Sequence, residues 1–406
     1  MKGERRYWMF KTSISGLSPD EIWERVQGFS SWIEVDLDSI GHNLSQIREL
    51  VGDRGIIPVV KANAYGHGLI PIVRFLMEEG VETFLVAKLE EALAIRGAGL
   101  KCGVLNMDPL FSDRQFRTVV SEEIAQTVFT LEAAERLSRA AEEVGKPARV
   151  HVKVDTGLGR VGVRYDRAAE FVKRISGLPG LVVEGLFSTF TEAKPFDEVQ
   201  LRRFLEVDAS LRRSGVEVPL RHMASSDALL SLPEAYLDAV RPGIILYGYY
   251  PSERAEEERR VELRPALRLK ARVELVKWLE AGDSVSYLRA YMAERRMRVA
   301  TIHVGYSDGY PHTLSNKGSI LLGDREAEII GRVSANHFVV SLDGLGDVEE
   351  GDEALLLGGD GETSLSRVAW KAGTSTYKVL IGLSPLLPRV YLKGGAPVDL
   401  WPPPLW

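Results

Sequence analysis

From Ile56 to Gly248 the chain repeats one pattern: a short apolar run, a polar turn, then an amphipathic stretch of helical period. The apolar runs are Ile56–Val60, Thr83–Ala87, Cys102–Asn106, Ala125–Phe129, Arg149–Asp155, Leu181–Phe190, Leu220–Ser225 and Ala239–Gly248. Among the intervening stretches, one carries Thr130 as an N-cap and Gly145 at its end, and another runs from Asp197 to Gly215. Eight β–α alternations over roughly two hundred residues predict a closed parallel (β/α)8 barrel, with a doubly wound open sheet as the competing arrangement.

The texture changes after the charged stretch Pro251–Leu267, which reads as a linker or exposed turn. Beyond it, strand-like runs lie close together, from Leu269–Leu279 through Arg298–Tyr306, Ser319–Val333, Phe338–Gly344 and Asp352–Gly359, punctuated by Asp343-Gly344 and Asp360-Gly361. This half predicts a mostly antiparallel β domain. The expected divisions are an N-terminal extension at 1–31 with one helix (Ser18–Phe29), the barrel at 42–262, the β domain at 263–400 joined by a strand at 32–38, and an extended tail at 401–406.

Composition adds limits rather than identity. With 406 residues, 45% hydrophobic and 27% charged, the chain reads as an ordinary soluble globular protein. Its net charge of −6 gives no general attraction for nucleic acid or an anionic membrane. The single cysteine, Cys102, excludes an internal disulfide and cysteine-based zinc clusters. Seven histidines show no metal-ligand spacing, so no metal is expected. No signal peptide or membrane span is visible, and the expected location is the cytoplasm.

The chemistry starts at Lys61, which ends an apolar run and is followed by no carboxylate, only Asn63, Tyr65 and His67. Barrels of this kind carry their sites at the C-terminal ends of strands. An amine desolvated there has its pKa lowered and becomes nucleophilic, able to form a Schiff base with a carbonyl; the alternative is a lysine that snorkels to solvent. A second candidate is Gly157, Gly159 and Gly162, which spell G-x-G-x-x-G after a strand, with Glu184 placed like a ribose-binding acid. That pattern supports a rival reading as a nicotinamide oxidoreductase, although it falls in the fifth unit of eight.

The segment "VVKANAYGHG" resembles, nearly letter for letter, the cofactor-lysine motif of the alanine racemases, a family that uses pyridoxal 5′-phosphate (PLP). The segment "KVDTGLGRVG" resembles another signature of that family, and the likeness extends from about Trp32 to Tyr391. The resemblance implies a barrel followed by a β domain, and a racemase that interconverts L- and D-alanine. It implies that Lys61 carries PLP and serves as one catalytic base, with Tyr287 as the other. Tyr65, Ser226, Gly243, Ile244 and Tyr377 would hold the cofactor phosphate, and Arg241, supported by His222, would face the pyridine nitrogen. Arg160 would meet the cofactor's phenolic oxygen and the substrate carboxylate. Lys153 matches a lysine that is often carbamylated and holds that arginine. Tyr306 would line the entrance, and Ala335 would stand beside the substrate. β-Domain residues of this family reach the partner's barrel, so a head-to-tail homodimer is implied.

The sequence departs from the family pattern in two main places. Thr189 stands where a histidine usually stacks on the cofactor ring, and the usual Cys-Met-Asp-Gln is Ser334-Ala335-Asn336-His337. Ser225, where asparagine is common, is a milder change. Losing the methionine at Ala335 leaves room for side chains larger than alanine's. These departures keep open a wider racemase, one for serine among them, and a PLP-binding protein of weak or no activity; a same-fold decarboxylase or aldolase is a further alternative. The last is disfavoured by the presence of both Lys61 and Tyr287.

Overall fold

A computed structural model describes residues 17–401. The described residues divide into two compact units: Gly41–Ala64 with Ile72–Leu263, and 17–40 with Tyr65–Pro71 and 264–401.

In the first unit eight strands pair in parallel, in the order Gly55–Ile56, Ala239–Val240, Leu220–His222, Leu181–Phe187, Ala148–Asp155, Ala125–Val128, Gly103–Asn106 and Thr83–Val86. A parallel bridge between Val59 and Leu85 joins the two ends, so the barrel is nearly closed. This is the predicted barrel, and the open doubly wound sheet is excluded. Several apolar runs proved shorter as strands than they read. Ile56–Val60 contributes ladder pairing only at Ile56 and Val59, because Pro58 has no N–H to give. Ala239–Gly248 is strand only at Ala239–Val240; after Pro242 the chain turns into a 3-10 segment, Ile244–Tyr247. Leu181–Phe190 and Leu220–Ser225 end at Phe187 and His222. Apolar composition reports burial, and a buried turn reads like a buried strand. The helix Leu131–Val144 takes its cap from Thr130 Oγ1, which accepts from the Ala133 N–H at 3.3 Å, and ends at Gly145 in the left-handed region. The stretch read as a linker instead contains a short helix, Glu253–Glu258, capped by Ser252.

The second unit is a mostly antiparallel nine-stranded sheet. Its centre is the long strand Leu267–Leu279, and the strand Ser31–Asp36 pairs antiparallel with it and parallel with Arg389–Lys393. The N-terminal helix, Pro19–Val26, starts in a capping box made by Ser18 and Glu21 and buries Ile22 and Val26 against Trp32, Val390 and Leu400. The last strand, Ala396–Trp401, uses the first residue of the predicted tail, whose remainder lies outside the described residues.

Tyr65–Pro71 belongs to this second unit, which the sequence reading had placed in the barrel. The fully buried Arg389 binds the Gly66 carbonyl at 2.8 Å, and Tyr391 donates its hydroxyl to the His67 carbonyl at 2.8 Å. Gly68 is obligatory here: its φ is 97°, and a Cβ would lie 1.9 Å from the Tyr391 hydroxyl. The glycines of "YGHG" are therefore a docking requirement rather than chemistry.

Candidate active site

Lys61 stands where the barrel wall, at Val60, gives way to a turn of unusual hand. Ala62, Asn63, Ala64 and Tyr65 all have φ between 51° and 57°, four consecutive non-glycine residues in the left-handed region. Each such residue costs roughly 1–2 kcal/mol, so this turn persists only because its surroundings fix it. One fixing group is Glu91, whose carboxylate accepts the Ala62 N–H at 2.5 Å and the N–H groups of Ala87 and Lys88 at 3.0 and 3.1 Å. Among the described residues Lys61 has no ion-pair partner. Burial pushes its pKa down, the Arg160 charge pushes it further, and Glu91 only partly opposes them.

Strand Ala148–Asp155 carries two polar groups into an apolar wall, His151 and Lys153, both buried. Lys153 Nζ donates to Thr189 Oγ1 and lies 4.6 Å above the Phe187 ring. Desolvation, with Arg241 and Arg160 adding to it, holds its pKa well below the lysine range. Thr189 thus serves as an acceptor for Lys153. Arg160 follows the same strand, exposed, with no hydrogen-bond partner among the described residues.

Arg241 is buried and spends its terminal nitrogens on the barrel. Nη1 donates to the His222 carbonyl at 2.7 Å and to His222 Nδ1 at 3.0 Å; Nη2 donates to the carbonyls of Ser188 and Met223 at 2.7 and 3.0 Å. Its Nε has no partner among the described residues. Burial lowers its pKa to about 9, which leaves it charged at neutral pH. Because arginine only donates, His222 Nδ1 must accept, so His222 Nε2 carries the proton and donates to His151 Nδ1 at 2.9 Å. His222 also stacks on Phe187, with centroids 4.9 Å apart. The sequence reading missed His151. Its signal was the alternation of His151 and Lys153 along a strand otherwise built of valine, and Gly185 opposite, where a Cβ would fall 2.2 Å from His151 Nδ1.

The His151 pKa is pushed down to about 4 by burial and by Arg241, from an ordinary 6.5. Between those values the unfolded chain binds a proton that the folded chain refuses, so stability falls as pH drops through that window. The loss from this group amounts to about 3 kcal/mol once pH is below both values. Urea unfolding at pH 7 and pH 4.5 measures it. The His151→Gln variant should lose clearly less stability across the same interval, and an unchanged pH dependence would refute the assignment.

Ser226, Gly243 and Ile244 come together at the ends of two neighbouring strands, with Ser226 Oγ accepting the Gly243 N–H at 3.0 Å. The turn at Gly157–Gly162 contradicts the dinucleotide reading. The N–H groups of Gly157 and Gly159 both donate to Asp155 Oδ1 at 3.0 Å and are not left for a pyrophosphate; Gly162 is there because a Cβ would meet the Asp155 nitrogen at 2.7 Å. Glu184 pairs with Arg149 at 3.5 Å.

In the second unit, Tyr65 and Tyr377 face each other with ring centroids 6.0 Å apart. Tyr287 is 75% exposed, in a 3-10 turn whose next two residues have positive φ. Tyr306 is 54% exposed. Its loop is laced to the Ala335 loop: Tyr306 and Ser307 N–H donate to the carbonyls of Ser334 and Ala335 at 3.0 Å, and Asn336 Nδ2 donates to Ser307 Oγ at 2.8 Å.

Family models for the alanine racemase N-terminal domain and C-terminal domain match residues 35–251 and 266–391. The chain belongs to the alanine racemase family. It is 39% identical over 370 residues to the alanine racemase of Clostridium perfringens (strain SM101 / Type A), covering 89% of this chain and 95% of the relative. It is also 39% identical to that of Desulforamulus reducens, covering 89% of this chain and 98% of the relative. The solved alanine racemase of Clostridium difficile 630 superposes with a TM-score of 0.88 at 31% identity, over 92% of this chain and 98% of that one. That of Bacillus anthracis with bound L-Ala-P gives 0.85 at 32%, over 91% and 97%. The enzyme is an amino-acid racemase, an isomerase that depends on PLP. The barrel residues fit that cofactor: a desolvated amine without an ion-pair partner among the described residues, an arginine Nε left over for a ring nitrogen, and Ser226, whose oxygen accepts from Gly243 and whose own O–H is left to donate to a phosphate. No helix among the described residues is long and apolar enough to cross a membrane.

Proposed function

We propose that the enzyme interconverts L- and D-alanine with two bases, Lys61 and Tyr287 of the partner subunit, in a cytoplasmic head-to-tail homodimer. Bound PLP supplies an electron-withdrawing ring that acidifies the substrate Cα–H. Arg160, whose fork is engaged by no other described group, binds the substrate carboxylate and fixes which faces of Cα meet the two bases. Lys61 takes or returns the proton on one face. Tyr287 does so on the other. Arg241 donates from Nε to the pyridine nitrogen without giving up a proton, which limits how far the ring accepts electrons and favours return of the proton over side reactions.

The observation that carries this reading is the placement of Lys61: it ends the barrel wall, partly buried and without an ion-pair partner among the described residues, and burial and the Arg160 charge lower its pKa. Tyr287 supports the dimer, because a phenol 75% exposed to water needs a covering surface before it can act as a defined base. The test follows D-alanine formation from L-alanine in heavy water, with deuterium at Cα of the product. Conversion without deuterium incorporation contradicts the two-base mechanism, in which the second base delivers a solvent-derived proton.

Ala335 sets the second part of the proposal, a substrate range wider than alanine. Filling that space with Ala335→Met should cut the preference for L-serine and larger amino acids, relative to alanine, by roughly 10-fold or more. Ratios of kcat/KM measure it; strict alanine preference in the unaltered enzyme ends the idea.

A further inference from the structure

Beside the middle of the long strand Leu267–Leu279, two neighbouring strands have their ends, and the three bring together a carboxylate and two imidazoles. In the ladder, Val273 pairs with Ile302 and Leu275 with Thr301, so Glu274 is the extra residue of a β-bulge in the strand Leu267–Leu279. Ile302 in turn pairs with Phe338. His303 directly follows Ile302, and His337 directly precedes Phe338. The bulge turns the Glu274 carboxylate toward both rings, as bulges commonly re-aim a side chain. His303 Nδ1 and His337 Nε2 converge on the same oxygen, Glu274 Oε2, at 3.0 and 2.9 Å. The three ligand atoms all lie within 4.8 Å of one another, and the two rings meet edge to face at 4.6 Å. No lysine or arginine pairs with Glu274 among the described residues.

We propose that Glu274, His303 and His337 bind a divalent transition-metal ion of the Zn2+ type. Two imidazoles and a carboxylate are a donor set that such ions accept, with solvent at the remaining position. Ligands on a tetrahedral zinc stand roughly 3.4 Å apart at ordinary bond lengths, so the glutamate needs to withdraw by only a few tenths of an ångström. The two rings must also close on each other, which is a side-chain movement at an exposed site: Glu274 is 46% exposed, His303 40% and His337 42%. His303 also lines a cavity of about 430 Å³, which gives the ion's solvent position room. The ion ties the roots of the Tyr306 and Ala335 loops to the central strand. Its binding does not depend on the roles proposed for those residues.

Isothermal titration of the full-length PLP-loaded enzyme with Zn2+ tests the site. One ion per chain is expected, with a rise in melting temperature on binding. His337→Gln, which restores the amide usual in the family, and His303→Ala should each weaken binding roughly 100-fold, as loss of one ligand of a small set does. Glu274→Gln should weaken it as well. Because Glu274 is exposed and the two histidines are only half-buried, the zinc-free variants should melt with the unaltered enzyme, which separates lost binding from misfolding. Absence of stoichiometric binding, or equal affinity in His337→Gln and Glu274→Gln, overturns the proposal.

Discussion

Changing Lys61 to alanine should leave no measurable interconversion of L- and D-alanine and no coloured, covalently attached cofactor. The amine is asked to do two things: to hold the cofactor and to serve as one of the two bases. The base alone is worth roughly 10²–10⁴-fold, and losing the anchor adds to that. The architecture around it is specific to this task. A strained left-handed turn follows it, Glu91 clamps the first N–H of that turn, and burial with Arg160 lowers the amine's pKa. Folding should be little affected, because Lys61 makes no ion pair among the described residues. Chiral analysis of alanine and the visible spectrum of the purified variant are the measurements. A coloured variant at full activity would remove the basis of the proposed chemistry.

The second large effect is expected at Tyr287, and it has a signature that distinguishes it from the first. Tyr287→Phe should slow racemisation in both directions by roughly 10²–10⁴-fold, the range for loss of one acid–base group. It should keep exchange of the Cα hydrogen with heavy water for one enantiomer, because Lys61 still serves one face. Proton NMR of each enantiomer in heavy water separates exchange from inversion. The melting temperature should barely move, since the change removes only a hydroxyl that makes no hydrogen bond among the described residues. If Tyr287→Phe inverts alanine at the original rate, the opposite base lies elsewhere.

Much of the proposed active site was legible because its residues lie in short local motifs near the ends of apolar runs. Lys61 and Ser226 directly follow an apolar run, Arg160 follows one by a few residues, and Lys153, Arg241, Gly243 and Ile244 lie within or at the end of one, where a barrel places its chemistry. Strand ends were less legible. Pro58 and Pro242 lack the N–H that a ladder needs, yet the runs around them stay apolar because they remain buried. Two residues of "YGHG" are mechanical. Gly66 and Gly68 leave no room for a Cβ beside the Leu380 carbonyl and the Tyr391 hydroxyl.

The sequence by itself determined the alternation of strand and helix, the change to antiparallel pairing after the charged stretch, and the family, through two motifs that are short and contiguous. Contiguous motifs survive in one dimension because local backbone and local chemistry coincide. Only the tertiary structure decided that His151 completes a relay through His222 to Arg241, that Lys153 reaches Thr189, and that Tyr65–Pro71 leaves the barrel's unit. It alone brought Glu274, His303 and His337 to one oxygen, although 63 positions separate the first from the last. The reason is register: cross-strand neighbours are fixed by ladder pairing and by a single bulge, and neither leaves a periodic trace in the spacing of the residues involved.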